Sequence, residues 1–479
     1  MPGRRDHLVV VVPGIGGSVL ARPDRPEDVV WDAGIGDIVD LVKHPDRMSA
    51  DEWPCLKPIR LTESTKLLGF TVVPGYERLL EQLKAFGTID RLGDPERPQR
   101  DADVVVAPYD FRGGIEEAAK RLDAVVGARL GDIAEEDRVA RVIVVAHSLG
   151  GLVARYWMGL MDQWKWCRAL ITLGTPHRGA SKALDWLVNG VRLRGVRLSG
   201  PSRLVEGWPV VAELLPRYKA IRNLAAPADA ADGKWYPHEL PVDRLTVPAK
   251  RAYDLHLQIE RAWNEMPSYG PEVVAYVGWG HPTLDACFWD GASLRATKEP
   301  PDWLDLTEGW RKDFGDGTVA AYSALPPELD SPIRLTDRHV PMACSERVLA
   351  RIMKYEYWGR PEGALGGADS ERGPALGLDL DELHALGEPI PVTATIREVD
   401  ADLSGQAVWA RLRPQVDNDD AWPAGWVNVR LDWDSDHGCF HGLLPAQPEG
   451  LYHLKVQARD VPHGGDLDVV DTLAVIDVE

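Results

Sequence analysis

A hydroxyl, a carboxylate and an imidazole stand out along this 479-residue chain, each in a setting that could expose it for chemistry. Ser148 lies in Ala146-His147-Ser148-Leu149-Gly150-Gly151, Asp316 in Gly315-Asp316-Gly317-Thr318-Val319, and His339 in Asp337-Arg338-His339-Val340-Pro341. Brought together, these groups can perform nucleophilic acyl transfer. The carboxylate holds one tautomer of the imidazole, which takes the proton of the hydroxyl and later returns it to the leaving group. Asp313 and Asp305 are competing acids, and His384 is a competing base in a polar stretch. His177, in Gly174-Thr175-Pro176-His177-Arg178-Gly179, precedes every plausible acid after Ser148. Chain order therefore sets it aside as the base, leaving it a structural place near the site.

A nucleophile needs a rigid mount. The apolar run Val142–Ala146, one tight turn and the helical pattern Leu152–Met161 predict a buried parallel strand, an elbow and a helix. Such an elbow lifts the Ser148 hydroxyl above the sheet edge, where the helix aims its N-terminal amides and positive dipole end. Small neighbours at Ala146 and Gly150 let the turn close; the plainer alternative is a serine that only caps the helix. Leu8–Val12 predicts a second buried strand, ending in Pro13-Gly14-Ile15-Gly16-Gly17-Ser18. That turn could cradle phosphate, but the phosphate-loop lysine and the dinucleotide spacing are missing. We expect an oxyanion hole instead, with the Ile15 amide as one donor, the Leu149 amide as the other, and Gly16 and Gly17 shaping the turn. A simple tight turn is the alternative.

Further strands at Asp103–Ala107, Ala169–Leu173 and Val273–Trp279 alternate with helices at Tyr76–Phe86, Ile115–Leu130 and Ser345–Tyr355. This is the rhythm of a mostly parallel, doubly wound sheet, which binds ligands outside the carboxyl ends of its strands. The order Ser148…Asp316…His339 is the one expected of an α/β-hydrolase. Asp110 and Arg112 are expected to brace loops as a charge-assisted pair rather than to touch substrate.

Residues 22–75 break the rhythm and are expected to form a lid insertion with a helix at Gly36–Lys43 and with Trp31 and Trp53 as local core. Residues 180–270 have no strand-length β pattern and predict a cap. Its Arg192, Arg194, Arg197 and Arg203 interleave with apolar residues, as if to hold an acyl chain below and an anionic head group or bilayer above. An ordinary helical cap with solvated arginines is the other reading. Residues 288–312 predict a short β region, and Val319–Ala324 a helical turn.

Residues 358–388, with Gly-Gly and Gly-Pro dipeptides and many charges, predict a linker between a catalytic domain at 1–357 and a C-terminal domain at 389–479. The last part alternates at period two and predicts an immunoglobulin- or fibronectin-like β-sandwich. Asp432, Asp434 and Asp436 resemble a calcium loop, but its glycine is one place late and its closing glutamate is missing. His437, Cys439 and His441 lack a fourth zinc ligand. An acidic hairpin turn accounts for both clusters, and no metal or cofactor is expected.

The net charge of −20 argues against nucleic acid as a partner. Residues 381–479 hold 6 Lys and Arg against 19 Asp and Glu, so the acidity belongs mostly to the C-terminal part. Five scattered cysteines suit a reducing compartment. The run Leu8–Val12 is too short for a signal peptide, and nothing approaches the roughly 20 apolar residues of a membrane span. A cytoplasmic protein is expected.

The motifs together resemble those of the lecithin:cholesterol acyltransferase family of α/β-hydrolases, with its phospholipase and diacylglycerol acyltransferase relatives. The resemblance rests on Pro13–Ser18, Tyr109-Asp110-Phe111-Arg112, Ala146–Gly151, Gly174-Thr175-Pro176-His177, Leu214-Leu215-Pro216, Gly315–Val319 and His339, across about residues 8–357. It implies Ser148 as nucleophile, Asp316 as acid, His339 as base, oxyanion donors at Ile15 and Leu149, a lid near the N-terminal insertion and a cap after the Gly-Thr-Pro turn. Phe111 stands where tryptophan is common, and Ala146 replaces the first elbow glycine. The expected activity is hydrolysis or acyl transfer on lipid esters through an acyl-enzyme. Peripheral membrane contact would run through lid or cap, and a protein partner could bind the C-terminal sandwich. Two alternatives remain: an adaptor with a vestigial hydrolase domain, and a thioesterase or peptidase using the same triad.

Overall fold

The computed structural model describes residues 7–62, 66–67, 70–71, 75–193, 196–227, 230–300, 302–304, 306–345, 347–348, 373–414 and 426–477. Strands that are apolar at successive rather than alternate positions, such as Leu8–Val12, must be covered on both faces. Seven strands form one sheet: β1 Leu8–Val12, β2 Ile89–Asp90, β3 Val104–Val106, β4 Val142–His147, β5 Cys167–Leu173, β6 Glu272–Gly278 and β7 Ile333–Leu335. They run parallel in the order β7-β6-β5-β4-β1-β3-β2. One face packs Val10 and Val144 against Leu122 and Trp157, and the other packs Val9 and Val11 against Leu79 and Phe86. Helix α1 Ile115–Leu130 connects β3 to β4, and α2 Leu149–Gly159 connects β4 to β5. This is an α/β-hydrolase sheet.

Register sets Val12 beside Ala146 and Leu173 beside His147, so β1, β4 and β5 finish level with one another. Helix α2 begins three residues earlier than the pattern predicts, and it presses onto the end of β1. A Cβ at Gly150 would stand 2.5 Å from the Pro13 carbonyl oxygen and 2.6 Å from that of Val12, so only glycine fits.

Within the N-terminal insertion, Ser18–Ala21, Val29–Trp31 and Lys57–Leu61 form a small antiparallel sheet, and Ile35–Lys43 is a helix. Trp31 meets Phe111 edge to face at 6.0 Å, and Phe111 meets Trp208 of the cap at 5.8 Å. Insertion and cap therefore share an aromatic seam.

The cap corrects the expectation of a strandless excursion. Ile221–Asn223 and Lys234–Trp235 join Ala286–Trp289 and Leu294–Thr297 in a four-stranded sheet, and Arg192–Leu193 pairs with Val196–Arg197. Strands of two or three residues are too short to show a period of two. The predicted β region at 288–312 is shorter than expected and gives way to a helix at Glu308–Asp313. The arginines are less available than the pattern suggests: Arg192 pairs with Asp185 at 2.8 Å and Arg197 with Glu206 at 2.6 Å. Arg203 is exposed, and Arg194 lies outside the described residues. Val319–Ala324 is a run of turns, not a helix, because the Val319 carbonyl accepts the Asp316 amide and Gly315 bridges Ala320 in β fashion. Of the predicted helix Ser345–Tyr355, most lies outside the described residues.

The C-terminal part is an eight-stranded antiparallel-rich sheet: β8 Ala375–Asp379, β9 Leu383–Ala385, β10 Ile390–Arg397, β11 Val408–Pro414, β12 Val427–Asp434, β13 Cys439–Leu444, β14 Gly450–Val461 and β15 Gly465–Ile476. Its order is β8-β10-β13-β12-β11-β14-β15-β9. The two faces of the expected sandwich are continuous through β12, which pairs with both β11 and β13. The sheet curls around one core that includes Val392, Phe440, Leu454 and Val456. β8 and β9 correct the linker assignment, since alternating polar composition there masked two short strands. Asp434 closes the β12–β13 turn by accepting the Asp436 and His437 amides, with His437 Nδ1 at 2.7 Å. All five cysteines are free. Among the described residues no helix is long and apolar enough to cross a membrane.

One cap carboxyl carries a pH signature. Glu213 accepts the Ile115 amide at 2.6 Å, at the start of α1. Burial pushes its carboxyl up to about 7 against the pull of that amide, with Glu116 adding to the rise. A folded carboxyl that holds its proton above the unfolded value of about 4.3 loses stability as pH climbs between those two values. The stability of wild type relative to Glu213→Gln should therefore fall between about pH 4.3 and pH 7. Glu213→Gln keeps an acceptor for Ile115 and lacks the titrating carboxyl, so the difference between paired thermal melts isolates this contribution.

Candidate active site

Ser148 closes β4 with φ of +53°, a conformation that a non-glycine residue holds only under constraint. Its amide donates to the Leu173 carbonyl at 2.8 Å, tying the turn to β5. Leu149 is the first residue of α2, so its amide has no acceptor within the helix. The Pro13–Ser18 turn lies directly against this elbow, with a Cβ on Gly14 falling 2.9 Å from the Ser148 Cβ. Gly17 donates to the Gly14 carbonyl at 3.1 Å, and Gly16, with φ of +76°, accepts Trp31 Nε1 at 2.9 Å. Ile15 sits between them, and its amide has no backbone acceptor among the described residues.

The turns after β6 and β7 bring the other two groups in. Ser148 Oγ is 2.8 Å from His339 Nε2, and His339 Nδ1 is 2.7 Å from Asp316 Oδ2. A carboxylate can only accept, so the proton belongs on Nδ1 and Nε2 faces the hydroxyl as an acceptor. Asp316 Oδ1 accepts the Thr318 amide at 2.9 Å and the Val319 amide at 2.7 Å. Burial would raise the Asp316 carboxyl. The adjacent His339 and these donors outweigh it and hold the group below the usual carboxylate range. The Asp316 carbonyl also accepts the His339 amide at 3.0 Å, locking the two loops together.

The remaining candidates separate from this cluster. Asp313 Oδ2 accepts from Arg334 Nη2 and Nε at 2.9 and 3.0 Å. His384 lies on β9 opposite Val475 of β15, with Nε2 at 2.8 Å from the Asp381 carbonyl. Asp305 lies outside the described residues. His177 is buried, with Nε2 at 3.3 Å from Thr172 Oγ1, and it touches none of the three. Burial, followed by nearby arginines, drives its imidazole well below the ordinary value.

Asp110 and Arg112 form a two-pronged pair at 2.9 and 2.7 Å. Arg112 reaches on to the carbonyls of Met48, Ser49 and Trp53, while Asp110 accepts the Leu56 amide. The pair thereby ties the insertion to the end of β3.

Two residues that spacing could not expose complete the site. The Gly14 amide donates to the Tyr76 hydroxyl at 2.8 Å, and Tyr76 is 2.8 Å from His147 Nδ1. His147 Nε2 is 2.9 Å from the His339 carbonyl. Burial, with His339 adding to it, pushes His147 down to about 3, so the ring is neutral at ordinary pH. With one ring proton to place, Nε2 donates to the carbonyl and Nδ1 accepts from Tyr76. One polar chain thus links the Pro13–Ser18 turn to the backbone of His339.

The family model for lecithin:cholesterol acyltransferase matches residues 76–228, which contain Tyr76, the elbow and the Gly174–His177 turn. That segment is lecithin:cholesterol acyltransferase-like. Asp316 and His339 lie beyond the acyltransferase-like segment. No curated protein sequence matches the chain. The mature form of the lipase BlEst2 of Bacillus licheniformis is similar at 12% identity, covering 74% of this chain and 93% of that one with a TM-score of 0.33. Its propeptide form is 10% identical, covering 98% and 94%, with a TM-score of 0.34. The lin2722 gene product of Listeria innocua is 12% identical, covering 74% and 95%, with a TM-score of 0.30.

Tyr76→Phe would leave the Gly14 amide and His147 Nδ1 buried without their shared partner. Each such loss costs about 1–3 kcal/mol. A lowered melting temperature by thermal denaturation, with unchanged far-ultraviolet circular dichroism at 20 °C, is the expected outcome.

Proposed function

We propose that this protein is a serine ester hydrolase or acyltransferase acting on lipid esters, with Ser148 as nucleophile, His339 as general base and then acid, and Asp316 as the group that orients His339. The observation that carries the reading is the unbroken Ser148–His339–Asp316 chain at 2.8 and 2.7 Å, with the single tautomer it demands. Ser148 attacks the ester carbonyl as its proton passes to His339 Nε2. The tetrahedral oxyanion is stabilised by the amides of Ile15 and Leu149, and collapse returns the proton to the departing alcohol. Water, or the hydroxyl of a second lipid, then releases the acyl group by the same steps in reverse.

The acyltransferase-like segment supports a lipid ester as substrate. A peptidase or thioesterase reading has no observation in its favour beyond the shared three groups.

Wild-type protein should react covalently with a fluorophosphonate and release fatty acid or transfer it when incubated with a mixed lipid extract, read by mass spectrometry. Ser148→Ala should abolish labelling and cut turnover by about three or more orders of magnitude, with the fold intact. Labelling that persists in that variant would end the assignment, and an unreactive wild type would favour the adaptor.

A further inference from the structure

The loops that carry Asp316 and His339 are not supported by the catalytic sheet alone. Arg338, next to His339, is 4% exposed and forms an ion pair with Asp471 of β15, itself 5% exposed. Its Nη1 donates to the Leu378 carbonyl of β8 at 2.6 Å. The other main-chain group of Leu378 is also taken: its amide donates to His281 Nδ1 at 3.0 Å, and His281 Nε2 meets the Thr336 carbonyl at 2.9 Å. His281 in turn bridges both Gly315 and Asp316.

β8 is an edge strand, and an edge presents backbone groups that need partners. Here those partners are the two loops of the candidate site. A third tie comes from Arg397 of β10, whose Nε donates to the Gly280 carbonyl at 2.6 Å and whose guanidinium lies 3.8 Å from the centre of the Phe314 ring. Phe314, with φ of +54°, is the strained residue that launches the Asp316 turn. Strands β14 and β15 also wall a cavity of about 160 Å³ shared by Asp316, His339, Leu451 and Leu473.

We propose that the C-terminal sheet is a positioning device for the reaction, and that Arg338 and Asp471 are positioning residues which set the His339 ring against Ser148. Arg338 acts through the backbone of its neighbour. Anchored to β8 and β15, it fixes the start of the His339 turn, while Leu378 and Arg397 fix the start of the Asp316 turn. The inference rests on the triad assignment above and goes beyond it by giving the acidic C-terminal domain a part in turnover.

The test uses the full chain and four variants: Asp471→Asn, Asp471→Glu, Gly377→Ala and Asp468→Asn. Gly377→Ala is an uncharged wedge, because its Cβ would fall 2.2 Å from the Gly280 carbonyl oxygen. Asp468→Asn is the control, since Asp468 lies on β15 with Asp471 but pairs with Lys455 of β14 at 3.1 Å. The readouts are kcat and KM for a short p-nitrophenyl ester, the rate and extent of fluorophosphonate labelling, and the melting temperature. A misplacement of about 1 Å can cost about a hundredfold in rate, so Asp471→Asn and Gly377→Ala should lower kcat about 10- to 100-fold. KM should stay within about twofold and labelling should still reach completion, only slower, because the groups remain present but misaligned. Asp471→Glu should recover part of kcat, and Asp468→Asn should match wild type.

Wild-type kcat in folded Asp471→Asn or Gly377→Ala would overturn the proposal. So would a raised kcat, which would make the sheet a restraint on the site. Should Asp471→Asn fail to fold, the kcat of Gly377→Ala decides between the two outcomes. Absence of labelling in wild type is a different failure, that of the nucleophile assignment.

Discussion

A carboxylate only 1% exposed is costly to keep charged, and Asp316 is such a group. Three N–H donors, from His339 Nδ1, Thr318 and Val319, replace the water it has lost. Without that replacement the group would take up a proton, and nothing would dictate which nitrogen of His339 faces Ser148. The local chain is shaped by this requirement. The two amides reach Oδ1 as the chain turns after Asp316, and the Asp316 amide in return donates to the Val319 carbonyl at 3.2 Å, a bond that a helix leaving this point would not make.

Rigid placement then follows from the sheet. β4 and β1 end level, so the strained elbow at Ser148 and the Pro13–Ser18 turn meet without long loops between them. The Tyr76–His147 chain stitches that corner to the His339 backbone through groups that stay uncharged at working pH. A neutral network of this kind adds direction without adding a competing charge beside the imidazole.

What was legible in the sequence was local. Ser148 announces itself through a valine-rich strand and an adjacent helix, Asp316 through flanking glycines, and His339 through chain order. Their convergence, and the α/β-hydrolase sheet beneath them, follow from those signals. Other features depend on pairs with no shared pattern. Tyr76 and His147 are 71 residues apart, and nothing in either neighbourhood predicts the other. Arg338 sits beside the base, yet its significance lies in Asp471 and in the backbone of Leu378, within a stretch whose charges and glycines suggest a linker. The cap strands were hidden because two or three residues cannot establish a period. The arginines that suggested an anionic surface are partly neutralised by Asp185 and Glu206, which only the fold brings near.

The pairing of Arg338 with Asp471 also says something about when this molecule can become whole. Chains emerge from the ribosome in order, and N-terminal units fold first. The seven-stranded sheet is complete in sequence by Leu335, but the ion pair of Arg338 with Asp471 cannot form until synthesis has passed residue 471. Until then that guanidinium lacks the β15 carboxylate it pairs with in the folded chain. The corner that holds His339 thus gains this ion pair only with translation of one of the last strands described, not at the moment its own residues are made.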